Sequence, residues 1–395
     1  MKCKTLPSSP RHILIFMPFL QEGGGTMPLT FKRSERLSIG TEIELQLVDA
    51  EHYDLTDRAD RVVSAVGDRR RVKHELTKSM VELNSSVHRD LDELHTELLA
   101  LTHTVRRSAQ RLGCDVCGGG RHLSNDWRKQ VISDNARYRQ LASRFGYLSK
   151  LACVFGQHIH LGVNDGDEAM YLCHALTPYF PQLIALSASS PLYQGVDTRF
   201  ASSRFSAQNS FPNYGCLEHI YSWHEFNAYY ERLNAAGVIE SVKDIYWDAR
   251  PKPELGTVEI RICDTPLRLT HAVLLVGYCR LLADFLLQHR SPIAPEYDAF
   301  TNYNKINAYR SGFAAEYVDP ATLRRSSLTA HILHTLEALS GFAERREDRA
   351  LLQAVERHVR QGISDSEHIR QMLHNGLPQA QVIKRLCDEL LQPAS

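Results

Sequence analysis

The 395-residue chain has no charge surplus of either sign: 46 Lys and Arg balance 46 Asp and Glu. Proteins that coat nucleic acid neutralise phosphates with a visible basic excess, so the balance argues against that role. It argues equally against an acidic disordered regulator. Long apolar runs are scarce. The greasiest early stretch, HILIFMPFL at residues 12–20, is interrupted by Pro18. It is about half the roughly 20 residues that span a bilayer. Arg11 precedes it but no small-x-small cleavage site follows, so residues 1–33 read as a leader, disordered or outside the core, and not as a secretory signal. No other stretch reads as membrane length. The nine cysteines are odd in number and scattered among apolar neighbours, which suits free thiols in a reducing cytoplasm better than disulfides.

Several catalytic signatures are also missing. Cys114 and Cys117 form a lone CxxC near His122, without the second pair that a structural zinc site needs. The glycines at 118–120 are not followed by Gly-Lys-Ser/Thr, so they make no P-loop. Neither GxSxG nor HExxH occurs, and hydrolase readings lose their usual anchors.

What is present is a chain rich enough in apolar residues, 43% by count, to bury a large core. Residues 37–48, LSIGTEIELQLV, alternate apolar and polar side chains, the period of a strand. Further strands are expected at 80–87, 154–163 and 256–263. Leucines at 91, 94, 98 and 101 with Val105 recur at spacings of three and four, predicting a helix over 90–108. Residues 114–120 read as a flexible bend. Helices are expected over 135–149, over 167–186 with a break at Pro178, and at 271–289, 329–340, 348–360 and 379–391. The Ser-, Gly- and Asn-rich stretch 187–215 keeps five aromatic residues and reads as an ordered loop facing a ligand. Strands followed by a helical C-terminal third imply an α+β fold, with helices packed on one face of a mainly antiparallel sheet, in a single domain over 34–391.

The strands carry an unusual set of polar groups. Glu42 and Glu44 share one strand face, as do His158 and His160, Glu259 and Arg261, and Glu82 and Asn84. Glu75 lies seven residues before Glu82. An ordinary half-exposed sheet gives the same alternation. If the four faces form one surface, its carboxylates make an oxygen-rich site for a hard cation such as Mg²⁺, and Arg261 can hold a phosphate. Clustered carboxylates without a cation would repel one another. Arg199 and Arg204 lie in DTRFASSRF within the long loop, either as surface charge or as contacts for a carboxylate or phosphate. Ten Lys and Arg against three Asp and Glu between Arg106 and Lys150 could draw in a polyanion such as a nucleotide, or could be a solvated helix face.

The motifs IGTEIELQLVD, HELTKSMVELNSSVH, CGGGRH, VISDNARYRQLASRFGYL, FGQHIHLGV, ALSASSPLYQGVDTRFASSR, SVKDIYWDARPKPELGTVEIRICDTPLRLTHAV and YNKINAYRSG together resemble the YbdK-type carboxylate–amine ligases, short relatives of glutamate–cysteine ligase. The resemblance runs from about residue 34 to 389. Thr41 and the VELNSS segment depart from the pattern of near relatives, the second in a region expected to shape the amino-acid pocket. The resemblance implies a glutamine-synthetase-like catalytic fold, a curved antiparallel sheet with helices on its outer face. It also implies weak glutamate–cysteine ligase activity: ATP and Mg²⁺ convert a γ-carboxylate to an acyl phosphate, which an amine then attacks. Carried onto these residues, Glu42, Glu44, Glu82, Glu259 and Glu75 would hold the metal. Arg261 would contact phosphate, and His158 or His160 would stand near the nucleotide as catalytic groups. Arg199 and Arg204 would touch substrate or nucleotide. The resemblance also implies a homodimer acting on small-molecule substrates, while the cysteines, the charge balance and the short apolar runs point to the cytoplasm and to no nucleic acid or membrane partner. The alternatives are another Mg-ATP phosphotransferase on the same sheet and a non-catalytic binding or structural member.

Overall fold

The computed structural model describes residues 29–212, 214–215, 219–293, 297–343 and 345–392. Most of the leader, residues 1–28, lies outside them, as do Cys3 and Cys216. The described residues ahead of Ser34 are already tied to the body. Phe31 meets Trp223 edge-on with ring centroids 5.2 Å apart, and the Lys32 amide donates to the Pro253 carbonyl at 2.9 Å.

The strands that matter are β1 (Ile39–Asp49), β2 (Val72–His74), β3 (Met80–Asn84), β4 (Cys114–Cys117), β5 (Gly156–Gly162), β6 (Ala249–Lys252) and β7 (Thr257–Asp264). They form one seven-stranded sheet in the order β6-β7-β5-β1-β3-β2, with β4 also pairing with β1. Every pairing in it is antiparallel. The α+β architecture expected from the sequence is therefore the observed one. Alternation along β1 sends Ile43, Leu45 and Leu47 into the main core, where Ile159 and Leu161 of β5 and Val258 and Ile260 of β7 join them. Each fully buried aliphatic side chain contributes roughly 2 kcal/mol. This face holds the sheet rigid and leaves the other face to polar groups.

Helices cover the apolar face. Asp90 starts the helix Leu91–Arg111 by accepting the amides of Asp92 and Glu93 at 2.8 and 3.0 Å, and Leu94, Leu98, Leu101, Val105 and Ala109 form its buried stripe. The helix Leu269–Gln288 lies against the same layer. Contrary to the expectation that no later stretch reaches membrane length, its 20 residues are long and apolar enough to span a bilayer. It serves as a core helix, with Leu275, Val276, Tyr278, Leu282 and Ala283 buried among its neighbours. The C-terminal third is helical as expected, and it includes two additional helices, Tyr297–Ser311 and Asp365–His374, the second capped by the Ser364 hydroxyl.

The supposed flexible bend at 114–120 is the clearest correction in the fold. Cys114–Cys117 is a buried strand, and the glycines after it are packed tight. A Cβ on Gly120 would run into the Asp264 carboxylate, so the glycine is required by close approach.

Candidate active site

Register decides what the polar face becomes. Glu42 of β1 stands opposite His158 of β5 and Asn84 of β3, and Glu44 stands opposite Glu82. On one side Lys73 of β2 faces Glu82; on the other, His160 faces Glu259, and Glu259 faces Arg250 of β6. Opposed residues of antiparallel strands share a face, so these side chains form one polar surface across six strands. Beyond Ile260 the β7–β5 register shifts, and such an irregularity re-aims the side chains beside it, here Arg261. A cavity of about 330 Å³ opens over this surface. Tyr138 and Leu141 of the helix Ala136–Phe145 line it, together with Phe211, Tyr214 and Tyr246.

One half of the cleft is cationic. Glu259, 0% exposed, receives Arg250 Nε at 2.6 Å, Arg261 NH1 at 2.6 Å and Lys252 Nζ at 3.4 Å. Burial alone would raise its pKa, but Arg250, Arg261 and Lys252 hold it well below the usual carboxylate range. Arg250 also donates to the carbonyls of Val242, Lys243 and Ile245, so it works as a rivet. Arg261 spends one N–H on Glu259 and lines the cavity. Arg204 arrives from the long loop, 2% exposed and also lining the cavity. It makes one long hydrogen bond, NH1 to the Arg261 carbonyl at 3.4 Å, and its Nε–H has no partner.

The other half is acidic. Burial pushes the Glu44 pKa up to about 7, with Arg204 opposing and Glu82 adding to the rise. Burial and the neighbouring Glu44 push Glu75 to about 7. Burial, with Glu42 and Glu75 adding to it, raises Glu82 well above its ordinary value. Glu75 accepts the Tyr138 hydroxyl at 3.2 Å and the Leu76 amide at 2.9 Å. Three carboxylates driven toward their neutral form describe a site short of positive charge.

His158 joins the halves. Its Nδ1 lies 2.9 Å from Glu42 Oε2. A carboxylate there places the proton on Nδ1 and leaves the Nε2 lone pair for a metal. Burial and then Arg261 depress the His158 pKa to about 4, so the ring is neutral, as a ligand must be. Despite its burial, Glu42 is held well below the ordinary range by its bonds to His158 and His160. Ligand atoms of Glu44, Glu82 and His158 lie within 4.8 Å of one another, as do those of Glu42, His158 and Glu259. The first group offers the better donors, because both Glu259 oxygens are already engaged by cations. The residues therefore fit a divalent cation, with Glu75 outside either group.

Not every expected residue reaches the cavity. His160 is 6% exposed and bonded through Nδ1 to Thr257 Oγ1 at 3.1 Å; it packs behind Glu42 and does not line the cleft. Arg199 is exposed on a turn with φ 60° and does not line it either. Of the ten basic residues between Arg106 and Lys150, four form ion pairs among the described residues, including Arg137 with Asp244. Arg106 pairs with Asp115 and Asp388, Arg128 with Asp126 and Arg139 with Asp134, while Arg137 alone of these lines the cleft. Sequence reasoning missed Arg250, Lys252, Lys73 and Tyr138. The alternation of Arg250 and Lys252 around Pro251 was a strand signal, weakened by a proline that an edge strand tolerates.

A family model described as glutamate-cysteine ligase family 2 (GCS2) matches residues 38–389. A protein of Ralstonia pickettii (strain 12J) named "Putative glutamate--cysteine ligase 2" is 39% identical over 373 residues, covering 92% of this chain and 98% of its own length. A protein of the same name from Chromobacterium violaceum is 40% identical over 361 residues, covering 90% and 96%. Among solved structures, the glutamate–cysteine ligase of Francisella tularensis in complex with AMP superposes with TM-score 0.71 at 13% identity, covering 91% of this chain and 89% of that one. The bifunctional glutathione synthetase of Pasteurella multocida gives 0.64 at 16%, covering 89% and 52%. At such identities the likeness is one of fold.

Proposed function

Because the chain belongs to glutamate–cysteine ligase family 2, we propose that it is an ATP-dependent carboxylate–amine ligase that joins glutamate, by way of an acyl phosphate, to an amine such as that of cysteine. The observation that carries this reading is the division of one rigid sheet face into an acidic half and a cationic half, bridged by His158. That the similarly folded ligase from Francisella tularensis was solved in complex with AMP supports a nucleotide as one of the ligands.

A carboxylate is a poor electrophile, and phosphorylation supplies it with a leaving group. Two anions must approach for that to happen, so the site has to neutralise charge where it develops. Glu44, Glu82 and His158 would hold Mg²⁺, with Glu42 fixing the imidazole. A divalent cation bound there would shield the γ-phosphate from the incoming carboxylate oxygen. Arg261 and Arg204 would hold phosphate oxygens, and Arg250 and Lys252 keep Glu259 from repelling them. Tyr138, Phe211, Tyr214 and Tyr246 wall the cleft and would keep water from the activated acid. The reaction suits a cytoplasmic enzyme; the described cysteines are free and buried.

The test is to incubate the protein with ATP, Mg²⁺ and glutamate, with and without cysteine and a panel of other amines, measuring ADP and amide. Hydroxylamine serves as a universal acceptor that traps any acyl phosphate as a hydroxamate. Amine-dependent ADP release with a γ-glutamyl product supports ligation. ADP release with a stable phosphorylated acid and no hydroxamate would replace it with phosphotransfer.

A further inference from the structure

The loop at 187–215 is irregular in sequence, yet its described residues are pinned from several sides: the Ala201 and Ser202 amides donate to the Arg310 and Tyr309 carbonyls at 3.0 and 2.9 Å, Arg370 binds Asp197, and one buried carboxylate gathers its base. Asp264, at the end of β7, is 2% exposed. Its Oδ2 accepts the Ser189 amide at 3.1 Å and the Ser190 hydroxyl at 2.6 Å, and its Oδ1 accepts the Ser202 hydroxyl at 2.8 Å. Its own amide donates to Ser187 Oγ at 3.3 Å. One carboxylate therefore gathers both ends of the excursion between Ser190 and Ser202, and these two residues form an isolated bridge. Ser190 Oγ, while donating to Asp264, also accepts the Arg204 backbone amide at 3.2 Å. The path from Asp264 to Arg204 is a continuous pair of hydrogen bonds through one hydroxyl.

Arg204 itself is cradled rather than paired. Its guanidinium lies over Gly156, where a Cβ would collide with it, and Nε–H has no partner. Among the described residues no carboxylate hydrogen-bonds the guanidinium; Glu44 and Asp264 attract it only as nearby charges, so its direction depends on how its backbone is held. A buried arginine with spare N–H groups facing a cleft is poised for an anion, and its usefulness depends on being held in advance. From this we infer that Asp264 is a positioning residue: through Ser190 and Ser202 it locks the 187–215 loop so that Arg204 projects over Gly156 toward the phosphates of the bound nucleotide. The inference rests on the ligase reading for the identity of that nucleotide.

The test is a double-mutant cycle on the full chain, with Mg²⁺ and the non-hydrolysable analogue AMP-PNP as the probe and calorimetry as the readout. Arg204→Ala should weaken binding about tenfold, the worth of one charge-assisted hydrogen bond. Asp264→Ala should weaken it to the same degree, and the double variant no further. Asp264→Asn keeps the shape and an acceptor, and should recover most of the affinity. Ser202→Ala, a milder cut of the same clasp, should fall between, and covers the case in which Asp264→Ala does not fold. A purely structural role would lower the unfolding midpoint and leave affinity within about twofold, the size of an ordinary peripheral change. That outcome, or losses that multiply in the double variant, overturns the inference while leaving the nucleotide site intact. Failure of the wild-type protein to bind AMP-PNP removes the ligase reading and the inference together.

Discussion

The two halves of the cleft are built from the same sheet, yet treat buried charge in opposite ways. On the β6–β7 side Glu259 is surrounded by Arg250, Arg261 and Lys252, and its ionised form is held on. On the β1–β3 side Glu44, Glu75 and Glu82 face one another, and burial drives them toward neutrality. The first region is internally satisfied and serves as scaffold. Among the described residues the second has only one ion pair, the half-exposed Lys73 at 3.8 Å from Glu82, against its three acids and is where an added charge gains most. The presence of a carboxylate in a motif thus says little about its role; what counts is how many cations the fold has brought to it.

The largest test of this contrast removes the carboxylate from each side. Glu259→Gln leaves Arg250, Arg261 and Lys252 buried around a neutral group and should cost roughly 3–5 kcal/mol of stability, read by urea unfolding. A loss below about 1 kcal/mol, the scale of an exposed pair, would mean that the cationic cluster is not held by Glu259.

Glu44→Gln should behave in the opposite sense. The folded-state pKa of Glu44, about 7, exceeds its ordinary 4.5. The unfolded chain then releases the proton first as pH rises, so the stabilising contribution of the neutral acid is present below 4.5 and lost as pH rises through 7. Without metal, the Gln variant should be more stable than wild type at pH 8 and equal to it near pH 5. With millimolar Mg²⁺ the order at pH 8 should reverse, because the wild type alone gains the stabilisation of a bound ion. A variant that is less stable than wild type at pH 8 without metal would contradict the picture of an acidic half short of positive charge.

The smallest expected effect separates two arginines of one motif. Arg199→Ala, on an exposed turn, should leave kcat/KM for hydroxamate formation within about twofold, whereas Arg204→Ala should not. Equal losses would place Arg199 in the working site after all.

Much of this was legible before any coordinates. Strict alternation in IGTEIELQLV, QHIHLGV and TVEIRICD revealed the central strands, because a sheet with one buried face imposes a period of two on its sequence. The leucine stripe after Asp90 revealed the first long helix for the corresponding reason at a period of 3.6. Other elements were harder to see. Pro251 masked the edge strand that delivers Arg250 and Lys252, and the three residues of β2 are too few for any period to register. The helix Trp223–Ala235 did carry a signal, the Ser222–Glu225 capping box, which went unread.

What the amino-acid sequence determined by itself is which residues share a strand face, since neighbouring side chains on an extended backbone must alternate. Glu42 with Glu44, and Glu259 with Arg261, needed nothing more. Only the tertiary structure decided which strands lie side by side and in what register. That choice set Glu44 against Glu82, wrapped Glu259 in three cations, turned His158 toward the cleft while leaving His160 behind it, and drew Arg204 inward but not Arg199. The reason is physical: alternation is a local consequence of backbone geometry, whereas the pKa of a buried acid depends on charges brought near it by residues dozens or hundreds of positions away.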